Sequence, residues 1–349
     1  MSYMDIQKAY MQNSEEEIDL RDLFMALWNR KVMIIVITLV AALITGIFSK
    51  FVLSPVYHSK LNIVINMPET YTTKYGDYTL PITTNQQYIN LITSSNIMVN
   101  TIRDMGYDSE VSIEDLRDRI TVGNPSTTTN TEQNSFEVKV AADTPEEAKR
   151  LAEALYENYI EFMDVMVVEG AIEYFYNDYS VKIRSLEVEK KTNEELLAKN
   201  EALLAETPQT INQKEALNEV KQIKTRDYVV LENIINPNYT KVENDIITIK
   251  QTINQIDNSI ELYNQYLKEL EEEKEQLASY YQTGDYETYG TDIINVVKTN
   301  VYLPSKPVAP TRKSSPNNMM NVVIGAVLGG MVSVMIALVQ EYWFKKERE

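Results

Sequence analysis

The chain has no cysteine and a single histidine, His58, among its 349 residues. Disulfide staples, thiolate metal sites and a lipid-modified cysteine are therefore excluded. A lone histidine with no partner histidine or cysteine reads as a surface side chain. The Gly-x-x-x-x-Gly-Lys-Ser/Thr phosphate loop occurs nowhere. Acids outnumber bases by 51 to 33, and carboxylate pairs in so acidic a chain read as solvated helix faces. No catalytic, cofactor-binding or metal-binding residue is assigned, and no enzyme activity or cofactor is expected. The net charge of -18 argues against a nucleic-acid partner and predicts repulsion from anionic headgroups.

Long apolar runs, by contrast, are present near both ends. Val32 to Ser49 and Met319 to Gln340 carry no charge and are long enough to cross roughly 30 Å of hydrocarbon. Arg21, Arg30 and Lys31 precede the first run, against Lys50 and Lys60 after it, which places the N-terminus in the cytoplasm. Lys306, Arg312 and Lys313 before the second run balance Lys345, Lys346 and Arg348 after it. A second crossing returns the chain to its starting side, so both tails are expected inside and the central part outside. A mostly polar stretch precedes the first run and no small-x-small site closely follows it, so an uncleaved anchor is expected instead of a signal peptide.

The expected organisation is a tail (1–31), a span (32–53), an α/β base (54–169), a helical hairpin (170–283), a returning strand with a proline-rich connector (284–318), a second span (319–340) and a tail (341–349). In the base, Leu61, Ile63 and Ile65 alternate within Tyr57 to Asn66, and Phe136 to Val140 alternates likewise. Ser95 is a candidate cap for a helix ending at Gly106, and Asp143-Thr144-Pro145-Glu146-Glu147 opens an amphipathic run through Ala148, Leu151, Leu155, Tyr159 and Phe162. Pro125 to Asn134 reads as a loop.

After Asn236-Pro237 a heptad seam runs through Tyr239, Val242, Ile246, Ile249, Ile253, Ile256, Ile260, Tyr263, Leu267, Leu270, Lys274, Leu277 and Tyr281. Its partner is a weaker seam through Tyr176, Tyr179, Ile183, Leu186, Lys190, Asn193, Leu197, Asn200 and Leu204. Asn193 and Asn200 are either solvated or set the register. Pro208 interrupts this seam, and a further helical segment is expected from about Asn212 to Ile235. An antiparallel coiled-coil hairpin follows as the simplest arrangement. Asp292 to Val301 reads as a strand returning to the first strand's sheet, and the prolines from Pro304 to Pro316 as a stiff connector. Gly325 with Gly329, and Ala42 with Gly46, form small-xxx-small faces suited to helix packing.

The order of these features resembles the Wzz-type chain-length determinants, or polysaccharide co-polymerases. Pro307, Pro310, Ser315, Pro316, Gly329, Gly330 and Met331 match the family's proline and glycine motif. Glu17-Ile18-Asp19-Leu20-Arg21-Asp22-Leu23 with Trp28 resembles its entry into the first span. Asn317 departs from the usual lysine, and Val332 to Val334 lack the small-residue continuation, which predicts looser packing deep in that span.

The resemblance implies an α+β membrane protein: two transmembrane helices flanking an extracytoplasmic α/β base with a long helical hairpin. It implies a non-catalytic homo-oligomer in the cytoplasmic membrane that regulates the length or export of a surface polysaccharide, beside a polymerase acting on lipid-linked glycan. Strands exposed at the sheet edges would favour such lateral association. Two other readings stand beside it. One is an activating adaptor of a separate cytoplasmic tyrosine kinase, with Tyr342, Trp343, Phe344, Lys345 and Lys346 as contact; these residues also read as an interfacial aromatic belt followed by cations. The other is a coiled-coil envelope tether or sensor. Only nine residues follow Gln340, so no fused kinase is expected.

Overall fold

The computed structural model describes residues 20–107, 111–123, 134–212, 233–284, 286, 289 and 293–342. Strand β1 (Tyr57–Ile65) pairs antiparallel with β5 (Ser135–Ala142), with Leu61 opposite Val138 and Ile63 opposite Phe136. Strand β4 (Ile120–Val122) lies on the far side of β5, and β8 (Val301–Tyr302) on the far side of β1. Period-2 alternation gives this sheet one buried face, carrying Leu61, Ile63, Ile65, Phe136, Val138 and Val140. On its other face Glu137 pairs with Lys60 at 3.0 Å and Lys139 at 3.3 Å.

The buried face is covered by the start of helix α6 (Pro145–Glu206), through Leu151, Leu155 and Tyr159. Thr144 caps this helix by accepting from the Glu147 N–H at 3.2 Å, and Pro145 occupies its first turn. Helices α3 (Asn85–Asn90), α4 (Ser95–Met105) and α5 (Ile113–Asp118) complete the base. Ser94, not Ser95, is the N-cap residue of α4, while Gly106 ends it in the left-handed conformation, φ 66°. A hairpin, β2 (Thr70–Thr73) and β3 (Gly76–Thr79), brings Tyr75 and Tyr78 onto α6. There the Tyr78 hydroxyl occupies the space that a side chain at Gly170 would need.

Helix α6 continues past Gly170 without a break for 62 residues, about 93 Å at 1.5 Å per residue. Beyond the base it packs against α7 (Pro237–Thr283). Three ion pairs join them: Glu173–Lys274 at 3.0 Å, Lys190–Asp257 at 2.7 Å and Glu201–Lys250 at 2.9 Å. Numbers rise along one helix as they fall along the other, so the hairpin is antiparallel. Val242, Ile246, Ile249, Ile256, Leu270 and Leu277 of the seam are buried. The polar seam members Lys190 and Lys274 reach across to carboxylates. Asn193 and Asn200 bond to carbonyls of their own helix, at Glu189 and Leu196. Tyr281 departs from the seam and is 59 % exposed, while Tyr280 turns inward onto Glu161 at 2.5 Å.

Two expectations need correction. The segment expected to be helical from Asn212 to Ile235 is strand at both ends, β6 (Thr210–Asn212) pairing with β7 (Asn233–Ile235); its middle, and most of the expected loop from Pro125, lie outside the described residues. The expected strand from Asp292 to Val301 is largely helix α8 (Val296–Asn300), with only Val301 joining β8. Ile293, Ile294, Val296, Val297 and Val301 are all buried. Their spacing of one, two, one and four residues suits a helical turn better than an alternating strand. The chain nevertheless returns to the first strand, Val301 opposite Ile65.

The paired apolar helices and the proline connector

Among the described residues, helices α2 (Lys31–Phe51) and α9 (Asn318–Tyr342) are the two elements long and apolar enough to cross a membrane. They pack on one another over much of their length. The contact is made where α9 is smallest. Gly325, Gly329, Ser333 and Ala337 recur every fourth residue and are all buried. A side chain at Gly325 would collide with Thr45, and one at Gly329 with Ala41, whereas the position at Gly330 has only Thr38 Oγ1 near, at 3.7 Å. A side chain at Gly46 would meet Val322 at 3.0 Å. Ala42 lies beside Gly46 in a shallow groove with Leu39, Leu43 and Val322. Met331 is 62 % exposed, off the packed face. Packing does not loosen past Val332, because Ser333 and Ala337 keep the four-residue period that the glycines begin.

Polar side chains close both ends of this pair. At one end the Ser49 hydroxyl donates to Asn318 Oδ1 at 3.0 Å and accepts from Asn321 Nδ2 at 2.8 Å. At the other, Arg30 donates to Gln340 Oε1 at 3.0 Å and lies 3.8 Å from the Glu341 carboxylate. The preceding helix, α1 (Leu20–Asn29), packs against α9 as well and buries Ala26. None of these polar contacts was assigned from the sequence. The signal was there, in polar residues set at the rims of apolar runs. Tyr342 ends α9; Trp343, Phe344, Lys345 and Lys346 lie outside the described residues.

The connector follows the free side of β1 toward α9. Asn66 N donates to Asn300 O at 2.9 Å, Ser59 Oγ to Val308 O at 3.2 Å, and Val56 N to Ser315 O at 2.9 Å. Pro307 is buried and Pro310 and Pro316 half-buried in this path; Ser315 is exposed and joins Pro316 through a cis peptide. Prolines offer no N–H to a further strand. The opposite edge is only the three residues of β4. Among the described residues the sheet edges are thus short or proline-covered, contrary to the expectation that open edges favour association.

At the junction of base and hairpin, carboxylates on α6 hold the end of α7 and the segment that follows it. Asp164 accepts from Tyr286 at 2.5 Å and lies 3.5 Å from Lys298 Nζ, and Glu169 accepts from Tyr281 at 2.9 Å. Burial, reinforced by the neighbouring carboxylates, raises the phenols of Tyr280 and Tyr286 above their ordinary range and pushes Tyr281 up to about 12. Burial likewise raises Glu161. Among the described residues no cluster of side chains is suited to hold a metal ion.

Residues 16–105 match the model of the Wzz chain length determinant protein family. The chain is 28 % identical over 144 residues to the capsular polysaccharide biosynthesis protein CpsC of Streptococcus pneumoniae, a match covering 40 % of this chain and 60 % of that one. A full-length bacterial polysaccharide co-polymerase shares 14 % identity at a TM-score of 0.39, over 93 % of this chain and 97 % of that one. The wild-type Shigella flexneri lipopolysaccharide O-antigen chain-length regulator WzzBSF shares 12 % at 0.29, over 74 % and 100 %. The chain thus spans about 60 % of the length of its curated relative. The family match, over residues 16–105, takes in the first apolar helix, the first strand and helices α3 and α4 of the base.

Proposed function

We propose that this protein is a non-catalytic, homo-oligomeric scaffold of the cytoplasmic membrane that regulates the chain length or export of a surface polysaccharide. Both termini are cytoplasmic in this reading, the base and hairpin extracytoplasmic, and the partners are a polysaccharide polymerase and its lipid-linked glycan. The observation that carries it is the family match over residues 16–105, joined to a second apolar helix by the connector bearing Pro307, Pro310, Ser315 and Pro316.

An exposed apolar stripe supports association of copies. Tyr174, Val181, Val188, Leu196 and Leu203 lie 46–65 % exposed along α6, at successive spacings of seven, seven, eight and seven residues, outside the seam used by α7. That near-heptad spacing is what a further helix would need in order to pack along the arm. The glycine face, by contrast, is already occupied by α2, so it serves packing within a chain.

Deleting the gene and sizing the surface polysaccharide tests the reading, complemented by Val181→Glu/Val188→Glu and by Pro310→Ala. Each variant should remain inserted at normal levels and yield a shorter or broader length distribution. Unaltered lengths in the deletion strain would overturn the proposal. The adaptor role is compatible with it: truncation after Tyr342 should then abolish phosphorylation of a co-purifying kinase.

A further inference from the structure

The acidic net charge conceals a segment of opposite character. No Asp or Glu occurs in residues 23–68 or 293–340, the stretches that hold the two apolar helices and their continuations into the base. At the base end of the helix pair these stretches carry Lys50, Arg312 and Lys313, all exposed. Elsewhere many lysines face carboxylates, as Lys60, Lys74, Lys182, Lys190, Lys250 and Lys274 do. None of Lys50, Arg312 and Lys313 has an ion-pair partner among the described residues.

The fold gathers these cations. Ser49 Oγ and Lys313 Nζ both donate to Asn318 Oδ1, at 3.0 and 3.1 Å, which sets Lys50 and Lys313 at the same level beside the start of α9. The pairing of Val56 with Ser314 and Ser315 holds the connector against the exit from α2. Exposed apolar side chains stand among the cations: Phe51, with Lys50 5.3 Å above its ring, and Val52, Val308 and Met319. Side chains of this mixed kind, at the end of two membrane-length helices, suit the boundary between hydrocarbon and headgroup.

We infer that Lys50, Arg312 and Lys313 form a collar that binds the phosphate of anionic phospholipid headgroups in the leaflet beneath the base domain. The inference rests on the two-span reading and reverses, for this one surface, the repulsion that the net charge predicts. The occupant is identified by charge complementarity and by position: the acidic base and hairpin disfavour anions, while the collar meets the bilayer surface with no carboxylate of its own.

The test uses the full chain reconstituted in phosphatidylcholine bilayers containing traces of spin-labelled phosphatidylglycerol or spin-labelled phosphatidylcholine. The motionally restricted fraction should favour phosphatidylglycerol by about fivefold, the effect expected of one near-surface cation, and the preference should fade in about 1 M salt. Lys50→Gln/Arg312→Gln/Lys313→Gln should bring it close to unity, and Lys50→Arg/Lys313→Arg should retain it. Neutralising Lys345, Lys346 and Arg348 at the other end of the helices should leave most of it. The inference is overturned if the glutamine variant keeps the wild-type preference, or if an isoprenoid diphosphate is preferred while phosphatidylglycerol is not. A chain that restricts no lipid, neutral or anionic, would overturn the membrane reading together with this one.

Discussion

The carboxylate of Asp164, on α6 and 4 % exposed, accepts a hydrogen bond from the Tyr286 hydroxyl at 2.5 Å. This bond fixes the chain leaving the hairpin to the helix that entered it. Removing the hydroxyl in Tyr286→Phe should cost about 2 kcal/mol, as expected for a hydrogen bond to a charged group. Denaturant unfolding of the full chain in detergent would measure it.

The same contacts predict an alkaline limit. Tyr280 and Tyr286 have folded pKa values raised above the ordinary phenol value of 10.0. Their contribution is therefore complete below pH about 10 and is lost as pH rises toward and through the folded values. Absorbance at 295 nm should show these phenols ionising together with unfolding, after the exposed tyrosines. Smooth titration of every tyrosine near pH 10, with the fold intact, would contradict the burial described.

For the hairpin, Ile256 is 5 % exposed in the seam and Asn258 faces solvent. Ile256→Asp should destabilise the arm by about 3 kcal/mol or more because it buries an unpaired charge. Asn258→Asp should stay within about 0.5 kcal/mol of the parent. Equal losses of helicity and melting temperature in the two variants would refute the seam.

Adjacent glycines in α9 should behave differently. Gly329→Leu collides with Ala41, whereas Gly330→Ala adds an atom about as far from Thr38 as ordinary contact allows. With cysteines introduced at Ser49 and Asn321, whose side chains are bonded at 2.8 Å, oxidation should form an intramolecular disulfide readily in the Gly330→Ala background. It should form poorly with Gly329→Leu. Because the chain has no native cysteine, the readout has no competing thiol.

Orientation is open to a direct measurement for the same reason. A cysteine at Ser185 or Asn258, both exposed on the hairpin, should react with a membrane-impermeant maleimide on intact cells, after permeabilising any outer membrane. One at Ser14 should react only after lysis. The reverse pattern would invert the proposed topology.

The elements that could be read in the sequence are those whose signal is local. Alternation at Leu61, Ile63 and Ile65, the cap and proline at Thr144-Pro145, and the long heptad run after Pro237 each specify one conformation from a short window. Where composition was weighed above spacing the reading failed: the β-branched run around Val296 and Val297 suggested a strand, but its buried positions recur as on a helix. The small face of α9 was visible too, although which helix covers it was not. That depends on how closely two segments far apart in the chain approach, with Thr45 against Gly325 and Ala41 against Gly329. The rim partners of Arg30 and Ser49 have no local signature for the same reason, since each lies far along the chain, in the second apolar helix.

The polar closures at the two ends of the helix pair also set a length. From Arg30 to Ser49 the first apolar helix rises about 29 Å at 1.5 Å per residue, close to the hydrocarbon thickness of an ordinary bilayer. Because each closure ties both helices together, neither can lengthen its apolar stretch by sliding past the other without giving up a hydrogen bond at one rim. The pair would behave as a gauge of fixed span, accommodating a thicker or thinner membrane by tilting as a unit or by deforming the lipid around it. The base domain, joined to that unit through both Val56 and Ser315, would tilt with it.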